Sequence, residues 1–304
     1  MIGSVIGALV SLAVTSTGVN SSAHPGTLLP LPRSAPVTVS QQKSPHKKRP
    51  ESVGVRTSSQ SVFVADVSTG SVLFAKDPHR VMPIASLTKL MTAMVFLDMK
   101  PDLTKTITFQ AQDFDGEGKP VFKTGEIMTY ENVLKSMLVG SVNASANAIA
   151  RTTLGTQRFV EAMNAKAREF GLSSPVYTEP SGIDPQNRAN AADIAAIITY
   201  ASGYPQIREY DGIQDFTIAS GISNDKYKIS STNLLLGTYL NKNPYHIVAA
   251  KTGSLAEAGY CMAQVTRNAE GHQIVAVELG SNNHFSRYQD IKVLTTWAFE
   301  TYEW

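Results

Sequence analysis

The stretches "YHIVAAKTG" (245–253), "GYCMAQVTRN" (259–268) and "HQIVAVELG" (272–280) decide how this chain folds. They are short, rich in apolar and β-branched residues, and separated by brief turns. Such runs predict consecutive antiparallel strands, because a parallel pair needs a long crossover. Working outward, "SVFVADVSTGSVLFAKD" (61–77) places two more β-rich runs around Ser68-Thr69-Gly70 and predicts a hairpin. "DFTIAS" (215–220) and "KYKIS" (226–230) add two short strands. Between hairpin and strands the apolar spacing becomes helical. Helices are predicted over 83–99, starting at Pro83, and over 129–141, 143–154 and 156–172, the last stopped by Gly171. Another covers 189–205 and is ended by Gly203 and Pro205; an amphipathic helix over 286–302 closes the chain. The order strands, helices, strands, helix predicts an α+β fold. Its antiparallel sheet is shared by the N-terminal hairpin and the C-terminal strands, with flanking helices and a helical subdomain.

The 304 residues are 42% hydrophobic and 17% charged, which suits one or two domains with a sizeable core. The net charge of +2 is unevenly spread. Residues 1–57 carry Arg33, Lys43, Lys47, Lys48, Arg49 and Arg56 against Glu51 alone, whereas the remainder is slightly acidic. The folded part is therefore no nucleic-acid binder. "IGSVIGALVSLAV" (2–14) is an apolar run of signal-peptide length, and Ser21-Ser22-Ala23 offers a cleavage site. Residues 1–23 are read as a signal peptide and 24–57, with six prolines, as a basic Pro/Ser-rich linker. Residues 58–304 form the folded domain. Export to the periplasm follows, with no permanent membrane anchor. The single cysteine, Cys261, is expected to be a buried structural thiol. His246 and His284 are isolated and show no ligand spacing, so no metal site is predicted.

The tripeptide Lys-Thr-Gly occurs at 123–125 and again at 251–253. It is the last part of a three-part serine-acylation signature. The first part, Ser-x-x-Lys on a helix, puts a hydroxyl and an amine on one face. Ser40–Lys43, Ser44–Lys47 and Ser223–Lys226 fit the spacing but lie in the linker or a polar turn; only Ser86–Lys89 opens an apolar helix. The second part, Ser-x-Asn, fits at Ser141–Asn143, between two helices, and at Ser231–Asn233 and Ser281–Asn283. The copy at Lys251-Thr252-Gly253 ends a strand, where Gly lets another backbone come close. The copy at Lys123-Thr124-Gly125 reads as a surface turn. Ser86–Lys89, Ser141–Asn143 and Lys251-Thr252-Gly253 thus come from a helix, a loop and a strand that can converge on one cleft.

At these residues the chain resembles the penicillin-recognising serine D,D-peptidases, the low-molecular-mass penicillin-binding proteins. "IASLTKLMTAMV" (84–95), "AMNAKAREFGLSSPVYTEPSGIDPQN" (162–187) and "KTGSLAEAGYC" (251–261) extend the resemblance across 58–304. It implies the β-lactamase/transpeptidase-like fold, with Ser86 as the acylated nucleophile and Lys89 as its base. It implies that Ser141 relays a proton to the leaving group and that Asn143 bonds the substrate backbone. Lys251, Thr252 and Gly253 would form the wall that takes the substrate carboxylate, and the N–H groups of Ser86 and Ser254 would form the oxyanion hole. The implied substrates are peptidoglycan peptides, with β-lactams as covalent inhibitors and no cofactor. The middle residue of Ser-x-Asn is Val142, where that family commonly carries Gly, Asp or Glu. The short stretch after Gly253 leaves no room for the further β-rich domain and anchor of many carboxypeptidases. It favours endopeptidases, which cut crosslinks, over carboxypeptidases. A β-lactamase would need a deacylating Glu, and Glu179-Pro180 continues as Ser181-Gly182-Ile183 without the usual Leu-Asn. A non-catalytic envelope binding protein would need a broken signature, and every chemical position here is filled.

Overall fold

The structure, a computed structural model, describes residues 43–116, 120–223 and 225–304. The chain enters on β1 (His46–Lys47) and forms a hairpin of β2 (Ser61–Asp66) and β3 (Val72–Lys76). A short β4 (Met82–Pro83) and one 3-10 turn (Ala85–Leu87) lead into α1 (Thr88–Asp98). β5 (Thr106–Thr108) and β6 (Ile127–Thr129) precede α2 (Tyr130–Val139), α3 (Asn143–Thr153) and α4 (Thr156–Glu169). β7 (Arg188–Ala189) is followed by α5 (Ala191–Ala201) and α6 (Pro205–Asp211). A ribbon of β8 (Asp215–Ala219) and β9 (Lys226–Ser230) precedes β10 (His246–Leu255), β11 (Gly259–Arg267) and β12 (Gln273–Ser281). α7 (Ser286–Thr301) and β13 (Tyr302–Glu303) end the chain.

The main sheet has the order β10-β11-β12-β2-β3, all antiparallel, so the first hairpin and the last three long strands share it as expected. β2 is buried along its whole length because both its faces are covered. Phe63 and Ala65 face a core built with α1, α2, α3 and α5, through Leu90, Met94, Leu134, Ile149 and Ile197. Val62 and Val64 face a second core under α7, through Ile291, Leu294 and Ala298. Each large apolar side chain so buried contributes about 1.5–3 kcal/mol. Local chemistry sets the turns. Asp66 accepts bonds from the Ser68 and Thr69 hydroxyls and the Thr69 N–H, pinning the hairpin turn. Thr129 caps α2 through the Asn132 N–H, and Asn190 caps α5 through the Asp193 N–H. Cys261 is buried in the first core, as expected.

Four sequence readings need correction. Residues 43–57 are not all linker. β1 pairs with β13, Lys48 N–H donates to Thr301 O at 2.8 Å, and Trp297 Nε1 donates to Ser52 Oγ at 2.8 Å. The folded body therefore begins before residue 58, because this segment finds backbone partners on the last helix and strand. Pro83 does not start a helix; it pairs in β4 with Arg188 of β7, and α1 begins only at Thr88. Pro205 ends nothing, since it is the first residue of α6, where its fixed φ suits helix entry. β8 and β9 pair only with each other and stand apart from the main sheet. The apolar run at 2–14 and the rest of 1–42 lie outside the described residues. No helix among the described residues is long and apolar enough to cross a membrane.

Candidate active site

Ser86 sits in the 3-10 turn that opens α1, half-buried, with Lys89 on the first turn of the helix itself. The Lys89 side chain is fully buried. Its Nζ donates to Ser86 Oγ at 2.9 Å, to Asn143 Oδ1 at 2.6 Å and to the Ser181 carbonyl at 2.6 Å. The last two acceptors can do no more than accept. A buried amine within 2.9 Å of a serine hydroxyl has the geometry that a base beside a nucleophile requires.

The turn that presents Ser86 is strained and tightly enclosed. Ala85 has φ +47°, a left-handed conformation that costs a non-glycine residue roughly 1–2 kcal/mol. Two glycines press on this turn. A Cβ on Gly182, itself at φ +87°, would collide with the Ala85 carbonyl. A Cβ on Gly253 would stand 2.9 Å from Ile84 O and 3.1 Å from Ser86 N. Gly253 is thus needed against the backbone of Ser86 itself. Gly182 is held by Glu179, whose carboxylate accepts from the N–H groups of Ser181, Gly182 and Ile183 and from Asn187 Nδ2. That carboxylate organises the loop under Lys89 and has no oxygen left over to activate a water.

Ser141 lies between α2 and α3 at φ +57°, also left-handed. Its hydroxyl accepts from Lys251 Nζ at 2.8 Å. Lys251 is 1% exposed on β10, the edge strand of the main sheet. Burial, and then the charges of Lys89 and Arg287, holds its pKa well below the ordinary lysine value, against the pull of Asp211. Burial pushes the Asp211 carboxyl up to about 7, although the Ala250 N–H donates to it at 3.0 Å and Lys251 lies near. Thr252 donates its hydroxyl to Thr232 Oγ1 at 2.7 Å, and Arg287 Nη1 donates to the Gly253 carbonyl at 2.9 Å. Ser254 is exposed, opposite Tyr260 in the β10–β11 register.

The structure therefore joins Ser86, Lys89 and Asn143 in one bonded cluster and Ser141 and Lys251 in a second, with Gly253 packed against the Ser86 turn. The alternatives fall elsewhere. Lys123 is an exposed side chain paired with Asp225 at 2.9 Å, and Ser223 lies in the exposed segment beside it. Ser281 bonds Ser58. Asn233 caps a 3-10 turn through Leu235 N–H. Val142 is buried ahead of α3. Sequence reasoning missed Ser181, Gly182, Asn187, Asp211 and Thr232. Ser181, Gly182 and Asn187 do stand in the stretch 162–187, whose wording was the only signal.

Residues 43–283 match the D-alanyl-D-alanine carboxypeptidase family. A D-alanyl-D-alanine endopeptidase of Pseudomonas aeruginosa is 32% identical over 234 residues, which are 75% of this chain and 74% of that protein. Another of the same name from Escherichia coli is 29% identical over 244 residues, 79% of this chain and 76% of the relative. A D-alanyl-D-alanine carboxypeptidase of Bacillus subtilis is 26% identical, covering 82% of this chain and 66% of its own. Among solved structures, a Streptomyces DD-transpeptidase superposes with a TM-score of 0.75 at 20% identity, over 82% of this chain and 100% of its own, which shows the shared fold. The chain belongs to the D-alanyl-D-alanine carboxypeptidase family of serine D,D-peptidases.

Proposed function

We propose that this protein is an exported D-alanyl-D-alanine endopeptidase that opens peptidoglycan crosslinks through an acyl-enzyme on Ser86. The observation that carries the reading is the buried Lys89 amine, 2.9 Å from the Ser86 hydroxyl and fixed by two further acceptors. In acylation, Ser86 Oγ attacks the carbonyl carbon of the donor D-alanine of the crosslink and its proton passes to Lys89. The N–H groups of Ser86 and Ser254 receive the developing oxyanion. The amide C–N bond then breaks, and the departing amine takes a proton relayed through Ser141, which is bonded to Lys251. Asn143 orients the peptide as well as Lys89. Water attacks the ester, returns a proton to Ser86 through Lys89, and releases the acyl half. No part of the sequence calls for a metal or organic cofactor. β-Lactams would acylate Ser86 by the same steps, and the occupied carboxylate of Glu179 argues against fast deacylation.

Endopeptidase activity is favoured over carboxypeptidase activity by the names of the two relatives from Pseudomonas aeruginosa and Escherichia coli. The test is twofold. Ser86→Ala should abolish covalent labelling by a fluorescent penicillin; persistent labelling of that variant would sink the nucleophile assignment. Digestion of crosslinked muropeptides by the wild-type protein should yield monomers. Release of free D-alanine without loss of dimers would reassign it as a carboxypeptidase.

A further inference from the structure

Thr232 bonds to three neighbouring segments. Its N–H donates to Val139 O at 3.0 Å, just before the Gly140-Ser141 turn. Its carbonyl accepts from the Tyr288 hydroxyl at 2.7 Å, and its hydroxyl oxygen accepts from Thr252 Oγ1 at 2.7 Å. Arg287 donates to both the Tyr288 hydroxyl, at 2.8 Å, and the Gly253 carbonyl, at 2.9 Å. These bonds close a ring that runs from Thr252 to Thr232, Tyr288 and Arg287 and back to Gly253. The ring fixes two hydroxyls side by side. Because Thr252 gives its proton to Thr232, the Thr232 hydroxyl keeps its own proton to donate. That proton meets no acceptor among the described residues, and Thr232 is only half-buried.

We propose that Thr232 belongs to the substrate-carboxylate subsite, its hydroxyl donating to the α-carboxylate of the leaving residue beside Thr252. The inference rests on the D,D-peptidase reading above and adds a residue to its binding surface. Terminal D-alanine and the acceptor residue of a crosslink both carry a carboxylate next to the amine that departs. Hydroxyl bonds to an anionic acceptor are short and about twice as strong as those to a neutral one. A carboxamide in that place offers a weaker acceptor and turns N–H donors toward the hydroxyl pair. The subsite should therefore select leaving residues with a free carboxylate.

The test compares cleavage of two matched crosslinked peptide dimers, one whose acceptor residue carries a free α-carboxylate beside the scissile amide and one with that carboxylate as a carboxamide. Thr232→Val removes the hydroxyl and keeps the backbone N–H and C=O bonds of the ring. It should lower kcat/KM for the acid by about tenfold. The amide should lose no more than about twofold, and Thr232→Ser should restore the preference for the acid. Thr232→Ala, read in the same way, covers the case that valine disturbs folding, which thermal unfolding would reveal. Equal losses on both peptides, or no loss on either, would overturn the inference. Absence of turnover by the wild-type protein on either peptide would overturn the peptidase reading, and this inference with it.

Discussion

The chain contains the same three residues, Lys-Thr-Gly, in two surroundings. At 251–253 they lie on an edge strand, with the lysine 1% exposed, bonded to Ser141 and stripped of solvent. At 123–125 they form a loop ahead of β6, where Glu126 N–H closes back on Lys123 O and the lysine pairs with Asp225 in open solvent. The physical contrast is in what each glycine is for. Gly253 makes room for the Ser86 turn, whereas Gly125 adopts φ +91° and, among the described residues, a Cβ there would meet only Ile222, at 3.9 Å. The pKa shifts also run in opposite directions. Asp225 raises that of Lys123, and burial lowers that of Lys251. Composition cannot separate these copies; desolvation and neighbours do.

The largest expected break is Lys251→Ala. It removes the buried partner of Ser141 and should slow penicillin acylation by roughly a hundredfold or more, measured as the second-order labelling rate. A rate near wild type would show that Lys251 is not the lysine of the acylation site. Gly253→Ala should come next. Its Cβ must push Ile84 O or Ser86 N aside, and a displaced nucleophile should slow acylation by about tenfold. Gly125→Ala is its control: it should leave the labelling rate unchanged while the left-handed backbone costs roughly 1–2 kcal/mol in unfolding experiments. If both glycine variants label at the wild-type rate, the packing argument for Gly253 fails. The smallest effect should follow Lys123→Ala, with neither labelling nor melting temperature measurably changed, because an exposed pair is screened and entropically costly.

The main sheet was legible because its strands combine apolar runs with short turns, although the separate β8–β9 ribbon was not. Ser86, Lys89, Ser141, Asn143 and Lys251 were legible because the spacing of a helix face or a tight loop is written locally. What escaped was tertiary. Pro83 and Pro205 are each compatible with a helix start or a break, and only the pairing of Pro83 with Arg188 and the packing of α6 decide between them. Ser231-x-Asn233 fits the motif by spacing alone, while the residue between its ends, Thr232, bonds Thr252 from 20 positions away in the sequence. Glu179 looked like the candidate base of a rival enzyme. Its local sequence does not show the turn that brings the N–H groups of Ser181, Gly182 and Ile183, with the Asn187 amide, onto the carboxylate. The 43–57 segment has linker composition, and its pairing depends on a strand at the other end of the chain.

The two glycines that enclose the Ala85–Ser86 turn also constrain how this enzyme can change. Ser86 is located largely by backbone against backbone, which exchange of a side chain for a larger or smaller one cannot easily retune. Resistance to a β-lactam, or a shift to a different crosslink, has little raw material there. Heritable variation is pushed outward to positions that keep the serine where it is and alter what reaches it, such as the hydroxyls of Thr232 and Ser254 at the mouth of the cleft.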